Sequence, residues 1–330
     1  MFGEEEENRE WNLLEDRNDA LPIRGVHMNG SFISTYSDRK VMLLGGFNHS
    51  VTVKETFVYN VDSQSFVRGP DIPEPLRDVS ACYLEGKNAI LCSGGHTMVF
   101  TDSAMHYKAS DVCFAYLSVY DMFMPMGHLS QPRSGHRAVF LRGDDVFISG
   151  GCYQQDKACD SFEVFNTALG KSHAFAVPHD CRRYLHGAAM LHDGRVLLCG
   201  GRYDKVGRHS FSSCVTHLYD SRSKNIHQGV TLPHLRDYAT ATTLTTGDVL
   251  LMGHKHAMLY DHRMMQWRDE IETTYRFRHF ATRLPDGEVM IGGGDIMRRS
   301  YSIYDEQTNR FTRSRALSDE MFDYTAACLF

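Results

Sequence analysis

A short phrase, an apolar run that ends at one or two glycines, returns six times along the chain. The copies are VMLLGG from Val41, ILCSGG from Ile90, VFISGG from Val146, VLLCGG from Val196, VLLMGH from Val249 and VMIGG from Val289. Their first glycines follow one another at spacings of 49, 56, 50, 53 and 39 residues. A repeat of about 50 residues is typical of propellers and related arrays, in which each unit buries its apolar face against its neighbours.

Each repeat predicts four short strands. A tight turn such as Asp193-Gly194 separates the first two runs, and Asp-Gly between apolar runs is a strong hairpin signal. The third runs are predicted to end at Tyr59-Asn60, Tyr120-Asp121, Phe165-Asn166, Tyr219-Asp220, Tyr260-Asp261 and Tyr304-Asp305. The fourth run carries an aromatic residue in four repeats: Phe66, Phe123, Trp267 and Phe311. Four antiparallel strands per repeat make a propeller blade.

The glycines have a physical reason in such a fold. The second strand lies near the hub, where neighbouring blades crowd, and glycine lets the backbone approach closely and adopt a positive φ. We therefore assign a structural role to Gly45, Gly46, Gly94, Gly95, Gly150, Gly151, Gly200, Gly201, Gly253, Gly292 and Gly293.

The glycine pairs, the Tyr-Asp ends, the later Trp or Phe and an Arg-x-x-His opening together resemble the kelch repeat family, to which the central domain of galactose oxidase is similar. The resemblance extends from about Arg24 to Phe330. It implies an all-β, six-bladed propeller of four-stranded antiparallel blades; a seven-bladed ring with one incomplete blade is the alternative. The predicted propeller covers 21–330, with repeats near 24–68, 77–124, 133–176, 183–230, 236–268 and 276–313 and a closing strand at 324–330. An acidic segment at 1–20, with one candidate outer strand, precedes it.

Composition excludes several classes of protein. The net charge is −6, of which Glu4 to Glu7 supply four, so the body lacks the basic surface that nucleic-acid binding needs. No apolar run approaches the roughly 18 residues of a membrane span. The nine cysteines are odd in number and form no Cys-x-x-Cys pair, which is typical of buried thiols in a reducing compartment. Because the N-terminus also lacks the features of a signal peptide, we expect a cytoplasmic protein.

Six arginines open the repeats: Arg24, Arg77, Arg133, Arg183, Arg236 and Arg276. In the propeller architecture they precede the first strands, and two roles are open. They form a ring of forked donors for carboxylate or phosphate at one channel mouth, or they brace neighbouring backbone carbonyls. The loops after the glycine pairs add further candidate partner-binding residues, Tyr107, Arg202, Tyr203, Arg208 and Arg298, because long loops on a rigid scaffold concentrate binding residues.

Enzymatic alternatives have weaker support in the residues. The copper site of galactose oxidase needs clustered tyrosines and histidines, and no motif here places them together. Plant specifier proteins use Glu-x-x-x-Asp-x-x-x-His, whereas this chain has Glu74-x-x-x-Asp78-x-x-x-Cys82. His254 and His256 are too few for a structural zinc site. We therefore expect no catalytic residue, metal or cofactor.

The expected function is a non-enzymatic protein-interaction module whose rim binds an acidic or phosphorylated segment of a protein partner, without nucleic acid or membrane. The resemblance implies use as the substrate-recognition part of a ubiquitin-ligase adaptor. Two alternatives stay open. One is a sugar-acting or metal-dependent enzyme on a kelch propeller, such as a sialic-acid epimerase or an oxidase; the other is a structural subunit or cytoskeletal binder. The sequence indicates no oligomeric state.

Overall fold

A computed structural model describes residues 32–36, 40–48, 51–60, 62–63, 65–101, 104–204, 210–276, 278–293, 300–312 and 315–316. Strands dominate these residues, and the helix that they contain is one 3-10 turn at His179–Cys181. No helix in this part of the chain is long and apolar enough to cross a bilayer. Three predicted rim residues, Arg24, Arg208 and Arg298, lie outside the described residues, as do the segment 1–20 and the predicted closing strand.

Blades 1 to 3 follow the first three repeats. Blade 1 contains β1 (Phe32–Tyr36), β2 (Lys40–Asn48), β3 (Val51–Asn60) and β4 (Ser65–Arg68). Blade 2 contains β5 (Ser80–Leu84), β6 (Ala89–Ser93), a rim hairpin of β7 (His96–Thr101) and β8 (Ala104–Ala109), β9 (Val112–Leu117) and β10 (Met122–His128). Blade 3 contains β11 (Arg137–Arg142), β12 (Asp145–Ser149), a short hairpin of β13 (Cys152–Gln154) and β14 (Lys157–Ala158), β15 (Ser161–Asn166) and β16 (Lys171–Ala176).

Blades 4 to 6 repeat the antiparallel order. Blade 4 contains β17 (Gly187–Met190), β18 (Arg195–Cys199), a hairpin of β19 (Arg202–Asp204) and β20 (Ser210–Ser212), β21 (Thr216–Asp220) and β22 (Asn225–Gln228). Blade 5 contains β23 (Thr240–Thr243), β24 (Val249–Asp261) and β25 (Gln266–Arg276). Blade 6 contains β26 (Phe280–Arg283), β27 (Val289–Gly292), β28 (Ser300–Asp305), β29 (Arg310–Phe311) and β30 (Arg315–Ala316).

The six innermost strands close into a ring. Each packs beside the next in the order β1, β5, β11, β17, β23 and β26, and β26 packs beside β1 again. Blades 1 and 6 also touch through Tyr59 and Tyr301, whose ring centroids are 5.8 Å apart. The hub therefore leaves no space for a seventh blade between them, and the six-bladed prediction is confirmed.

The apolar core lies between blades. Leu91 of blade 2 belongs to the same buried cluster as Val146 and Phe165 of blade 3. At the next junction, Phe147 of blade 3 stacks on Tyr219 of blade 4 with ring centroids 4.0 Å apart. Since each blade buries its faces against two neighbours, the ring is stabilised as a whole.

The third strand of blade 2 ends earlier than the sequence predicts. Strand β9 ends at Leu117, and its buried tyrosine is Tyr116, whose hydroxyl donates to Asp121 at 2.7 Å. Tyr120, the residue predicted for this place, lies in the turn and is 71% exposed. The prediction is wrong because Asp121 lies in the turn after β9, while the strand itself ends in leucine. The Tyr-Asp pattern therefore matched the sequence four residues too late.

The structure of blade 5 accounts for the shortest spacing between repeats, the 39 residues from Gly253 to Gly292. Its second and third runs are continuous in β24, with Gly253 and His256 only three residues apart at the point where other blades insert a rim hairpin. The Arg236 side chain bonds the carbonyl oxygens of both residues. Blade 5 therefore contributes no long loop to the rim.

The glycine pairs make the contact between consecutive blades. The amide of the second glycine donates to the carbonyl oxygen of the residue that opens the next blade. The bonds run from Gly46 to Leu76, Gly95 to Arg133, Gly151 to Arg183 and Gly201 to Arg236, at 2.9, 2.9, 2.8 and 2.6 Å. The first glycine lies so close that a Cβ on Gly150 would stand 2.1 Å from Arg183 O. The approach of two backbones requires glycine here.

Replacing Gly150 with alanine tests this contact. Gly143 has the same φ of 60° and open space around its missing Cβ, so Gly143→Ala is a matched control. The control carries only the left-handed backbone cost of about 1–2 kcal/mol. We expect Gly150→Ala to lower the free energy of unfolding by a further ~2 kcal/mol or more, because the methyl group overpacks the junction. Urea denaturation measures both; equal losses would contradict the account.

Candidate functional site

Arg133 is completely buried and does not reach a channel mouth. Its Nη1 donates to the carbonyl oxygens of Gly150 and Ser161 at 2.6 and 3.0 Å. Its Nη2 donates to Glu163, which is also fully buried and accepts the amides of Ser130 and Gln131. Every charge in this group is compensated inside the blade, so Arg133 ties the first strand to the second and third.

Three further opening arginines make the same bond to the carbonyl seventeen residues ahead. Arg183 donates to Gly200, Arg236 to Gly253 and Arg276 to Gly293, at 3.4, 2.6 and 2.7 Å. All three side chains are buried. Of the two roles that the sequence left open for them, the geometry favours the brace. We call the chain position that Arg133, Arg183, Arg236 and Arg276 occupy, at the opening of each repeat, the brace slot.

The histidines that follow the brace slot connect neighbouring blades. His136 of blade 3 pairs through Nε2 with Ser93 Oγ of blade 2 at 2.9 Å, and His186 of blade 4 pairs with Ser149 Oγ of blade 3 at 2.8 Å. Both rings are fully buried, and burial beside the opening arginines holds the pKa of each well below its usual range. These imidazoles are therefore neutral packing groups.

Blade 2 departs from the brace pattern. Its brace slot holds Leu76, whose carbonyl accepts the Gly46 amide as Arg133 accepts that of Gly95. Leu76 packs with Phe114, which stands where blade 3 has Glu163, and both are fully buried in one apolar cluster. An apolar pair thus replaces the buried ion pair.

The displaced arginine of this blade is Arg77, one residue beyond the brace slot. Arg77 and His96 form an isolated bridge that matches the bridges of Ser134 with Cys152 and of Tyr184 with Arg202. The predicted alignment of Arg77 with Arg133 is therefore off by one residue. The shift sends Arg77 toward the channel, where its Nη1 donates to Met98 Sδ at 3.1 Å.

A cavity of about 270 Å³ opens at the starts of the innermost strands, and we call it the mouth cavity. Arg77, Asp78 and His96 of blade 2 line it together with residues of four other blades. Those residues include Ser134, Gln155, Asp156, Tyr184, Tyr238 and Arg278, and Tyr107 of the rim hairpin completes the wall. Of the predicted rim residues in the described part of the chain, Arg77 and Tyr107 lie here.

The mouth cavity contains one buried carboxylate, that of Asp78, whose pKa is lowered by nearby cationic groups. Asp78 is 9% exposed, and its pKa is lowered from the usual value: burial opposes the shift, and Arg77, His96, Arg278 and Arg137 drive it. The nearest of these groups are Arg77 Nε and His96 Nδ1, at 3.7 and 3.6 Å from Asp78 Oδ2. Burial lowers the pKa of His96 to about 3, so the ring is neutral. Two arginines, Arg77 and Arg278, thus share the wall of the mouth cavity with two carboxylates, those of Asp78 and Asp156.

Tyrosine rings form the apolar part of the mouth. The Arg278 guanidinium stands 4.8 Å above the Tyr238 ring, and its Nη2 donates to that hydroxyl at 3.2 Å. Arg202 lies 6.0 Å from the same ring. The Tyr184 hydroxyl donates to Asp156 at 2.8 Å. A guanidinium that stacks on an aromatic face keeps its edge N–H groups directed outward for a ligand.

Other candidate residues lie elsewhere. Tyr203 is on the hairpin of blade 4, where its ring centroid is 6.3 Å from that of Phe211. Among the described residues, one group could hold a metal by distance, namely Asp180, Cys181 and His217. Arg183 Nη2 bonds His217 Nδ1, and because a guanidinium only donates, the neutral ring carries its proton on Nε2. The protonated Nε2 lies 3.5 Å from Asp180 Oδ2, so neither ring nitrogen has a lone pair available for a metal.

Sequence reasoning missed Asp78, Tyr184, Tyr238 and Arg278. Asp78, Tyr238 and Arg278 occupy the position two residues after the brace slot, where Gly135 and Leu185 stand in the other two blades that show it. All five residues have a positive φ between 49° and 63°. A residue with this left-handed backbone conformation turns its side chain toward the channel axis. The glycine at this position in blade 3, Gly135, is the one sequence feature that indicates the conformation.

Comparisons with known proteins agree with the architecture. A solved chain titled "Structure of YjhT" superimposes with a TM-score of 0.69 and 11% identity, covering 90% of this chain and 100% of that chain. At this identity the likeness concerns the fold alone, a β-propeller. No protein-family model and no curated protein matches the sequence.

The apolar brace of blade 2 gives a direct test of the polar one. Removing one partner of a buried ion pair costs about 3–5 kcal/mol, because a charge is left uncompensated. We expect Arg133→Leu and Glu163→Phe each to cost that much. The double variant, which copies Leu76 and Phe114, is expected to lose less unfolding free energy than the sum of the two single variants, by at least about 1 kcal/mol. Urea denaturation of all four proteins closes the cycle, and additive losses would refute this role.

His217 makes stability depend on pH. Burial, with Arg183 beside it, lowers the pKa of His217 to about 4, below the unfolded value of about 6.5. The folded state thus favours the neutral ring. The contribution is complete above pH 6.5 and is lost as pH falls toward 4. We expect His217→Gln to reduce the drop in unfolding free energy between pH 6.5 and pH 4, whereas substitution of an exposed histidine, His227→Gln, leaves this drop unchanged. Equal pH profiles for the two variants would exclude this role.

Proposed function

We propose that the protein is a non-enzymatic binding module whose mouth cavity receives an acidic or phosphorylated segment of a protein partner. The observation that carries this proposal is the position of Arg278 in the wall of the mouth cavity, where it is partly exposed and stacks on Tyr238, with Arg77 in the same wall. A guanidinium held on an aromatic ring at the wall of a cavity favours an anionic ligand, because its planar fork of N–H groups matches a carboxylate or a phosphate.

The four buried brace arginines do not take part in this function. Their donors serve backbone carbonyls and side chains of their own blades. Arg278 differs from them because it is partly exposed and stacks on Tyr238. A carboxylate or phosphate at the mouth therefore meets a preorganised guanidinium, and its neighbouring side chains meet tyrosine rings.

The rim hairpins give the segment its surroundings. Hairpins of blades 2, 3 and 4 stand around the mouth, and blade 5 has none. Among the described parts of the rim, these three hairpins would form walls for a peptide, and blade 5 would leave a lower side. Substrate recognition for a ubiquitin-ligase adaptor would be one use of such a module.

An array of short acidic and phosphorylated peptides tests the proposal, each paired with its Asn/Gln or unphosphorylated counterpart. We expect a subset of the charged members to bind and their counterparts to fail. Arg278→Gln is expected to weaken those peptides about tenfold or more, which corresponds to about 1.4 kcal/mol. Fluorescence polarisation with labelled peptides measures both effects.

Arg310→Gln is the matched control, because Arg310 is exposed on β29 of the same blade and away from the mouth. It is expected to bind like the unchanged protein. Absence of any charge-dependent peptide binding, or equal weakening by the two variants, would overturn the proposal.

A further inference from the structure

A second cavity, of about 370 Å³, occupies the channel between the innermost strands, and we call it the channel cavity. Its wall comes from β5, β11, β17, β23 and β26. Small side chains create the space: Ala188 and Ala189 on β17 and Ala241 on β23 line it. Val139 and Leu141 of β11 add larger apolar surface. Mostly apolar cavities of this size with a few polar groups are typical ligand sites.

Arg137 closes the channel cavity at the end that adjoins the mouth. Its Nη2 donates to Ala239 O of blade 5 at 3.1 Å, so the side chain passes across blade 4 from blade 3. Its Nη1 contacts the carbonyl oxygen of neighbouring His136 at 3.4 Å, a long bond. The residue is 4% exposed. The guanidinium thus lies in the hub and borders an apolar space.

Arg137 differs from the brace arginines of blades 3 and 5 because, among the described residues, no carboxylate in direct contact compensates its positive charge. Arg133 and Arg236 each have a carboxylate in direct contact, Glu163 and Glu270. No carboxylate of the described residues lies within 4 Å of Arg137, and Asp78 acts on it only from a longer range. Burial lowers the pKa of Arg137 to about 10, and the longer-range attraction of Asp78 opposes this shift.

We propose that the channel cavity binds a small amphipathic carboxylate, with its carboxylate on Arg137 and its apolar part along the alanine-rich wall. The buried guanidinium supplies the charge complementarity, because a planar fork of N–H groups matches a carboxylate. The apolar wall between Arg137 and Leu141 spans about 13 Å at the rise of a strand. An apolar chain of about ten carbons fits this depth.

The far end of the channel cavity is polar and accessible. Glu85, His192, Thr243 and Arg283 line it, and both Glu85 and His192 are exposed. Arg283 is the alternative anchor for a carboxylate, and its Nη1 lies 3.4 Å from Thr243 O. The proposal assigns the carboxylate to Arg137, because burial excludes water from that end and strengthens the charge pairing there. Ligand entry takes place from the Glu85 end.

The channel cavity and the mouth cavity would bind different ligands, and different experiments test them. The mouth would take a peptide from the rim side, and the channel cavity would take a small molecule from the opposite side. Loss of peptide binding in the array leaves the small-molecule measurement unaffected, and the reverse also holds. The two outcomes are therefore distinguishable.

Isothermal titration calorimetry with decanoate and with decanol tests the proposal on the full chain. We expect the unchanged protein to bind decanoate at least about tenfold more tightly than decanol, since the two differ in the carboxylate. Arg137→Gln is expected to remove this preference, and Arg137→Lys to retain part of it. Arg283→Gln tests the alternative anchor at the other end of the cavity and should change decanoate affinity by less than about twofold.

A second variant tests the cavity itself. Ala241→Leu fills the wall without altering any charge and is expected to weaken decanoate and decanol alike. Thermal melts establish that each variant is folded before titration. The proposal is overturned if the unchanged protein does not bind decanoate, if Arg283→Gln removes the preference for the carboxylate, or if Ala241→Leu leaves both affinities unchanged.

Discussion

The hydrogen bond from the second glycine of one blade to the carbonyl that opens the next blade is the contact on which the ring depends. Among the described residues it occurs at the four consecutive junctions from blade 1 to blade 5, with donor–acceptor distances of 2.6 to 2.9 Å. In blades 3 and 4, the residue that offers the carbonyl also sends its guanidinium to the first glycine of its own pair. Each such blade is therefore held to its predecessor by a backbone bond and held together by a side chain. The chain of contacts continues from one junction to the next.

That chain of contacts decides which arginines can have another role. An arginine in the brace slot uses its donors on internal carbonyls, so binding a ligand would require breaking the blade. An arginine one or two residues further on turns toward the channel. Arg77 reaches this place because Leu76 fills the brace slot of blade 2, and Arg278 reaches it through a left-handed backbone with φ of 59°. The same distinction separates Arg137, at the start of an innermost strand, from Arg133.

Much of the fold could be predicted from the sequence. The repeated glycine phrase gave the number of blades, because each copy ends a second strand. The candidate site was harder for a physical reason. Arg-x-x-His records that an arginine is present and does not record whether it points into the blade or to the channel. In blade 2 the neighbouring leucine shifted the register by one, and the pattern alone could not detect the shift.

The channel-facing position was hidden for a second reason. Its members Asp78, Gly135, Leu185, Tyr238 and Arg278 share a backbone conformation and no chemical type. Sequence similarity therefore cannot align them, and three-dimensional geometry can. The wall of the mouth is consequently built from side chains of different chemistry in each blade, while the glycines and the brace are held by the packing of neighbouring blades.

A crystal structure with an acidic or phosphorylated peptide from the array bound tests the central claim most directly. The account predicts a carboxylate or phosphate oxygen within hydrogen-bonding distance of Arg278 in the mouth cavity, with Arg133, Arg183, Arg236 and Arg276 unchanged in their internal bonds. A peptide seated on the outer strands, or one that draws a brace arginine out of its blade to bind the anion, would contradict it.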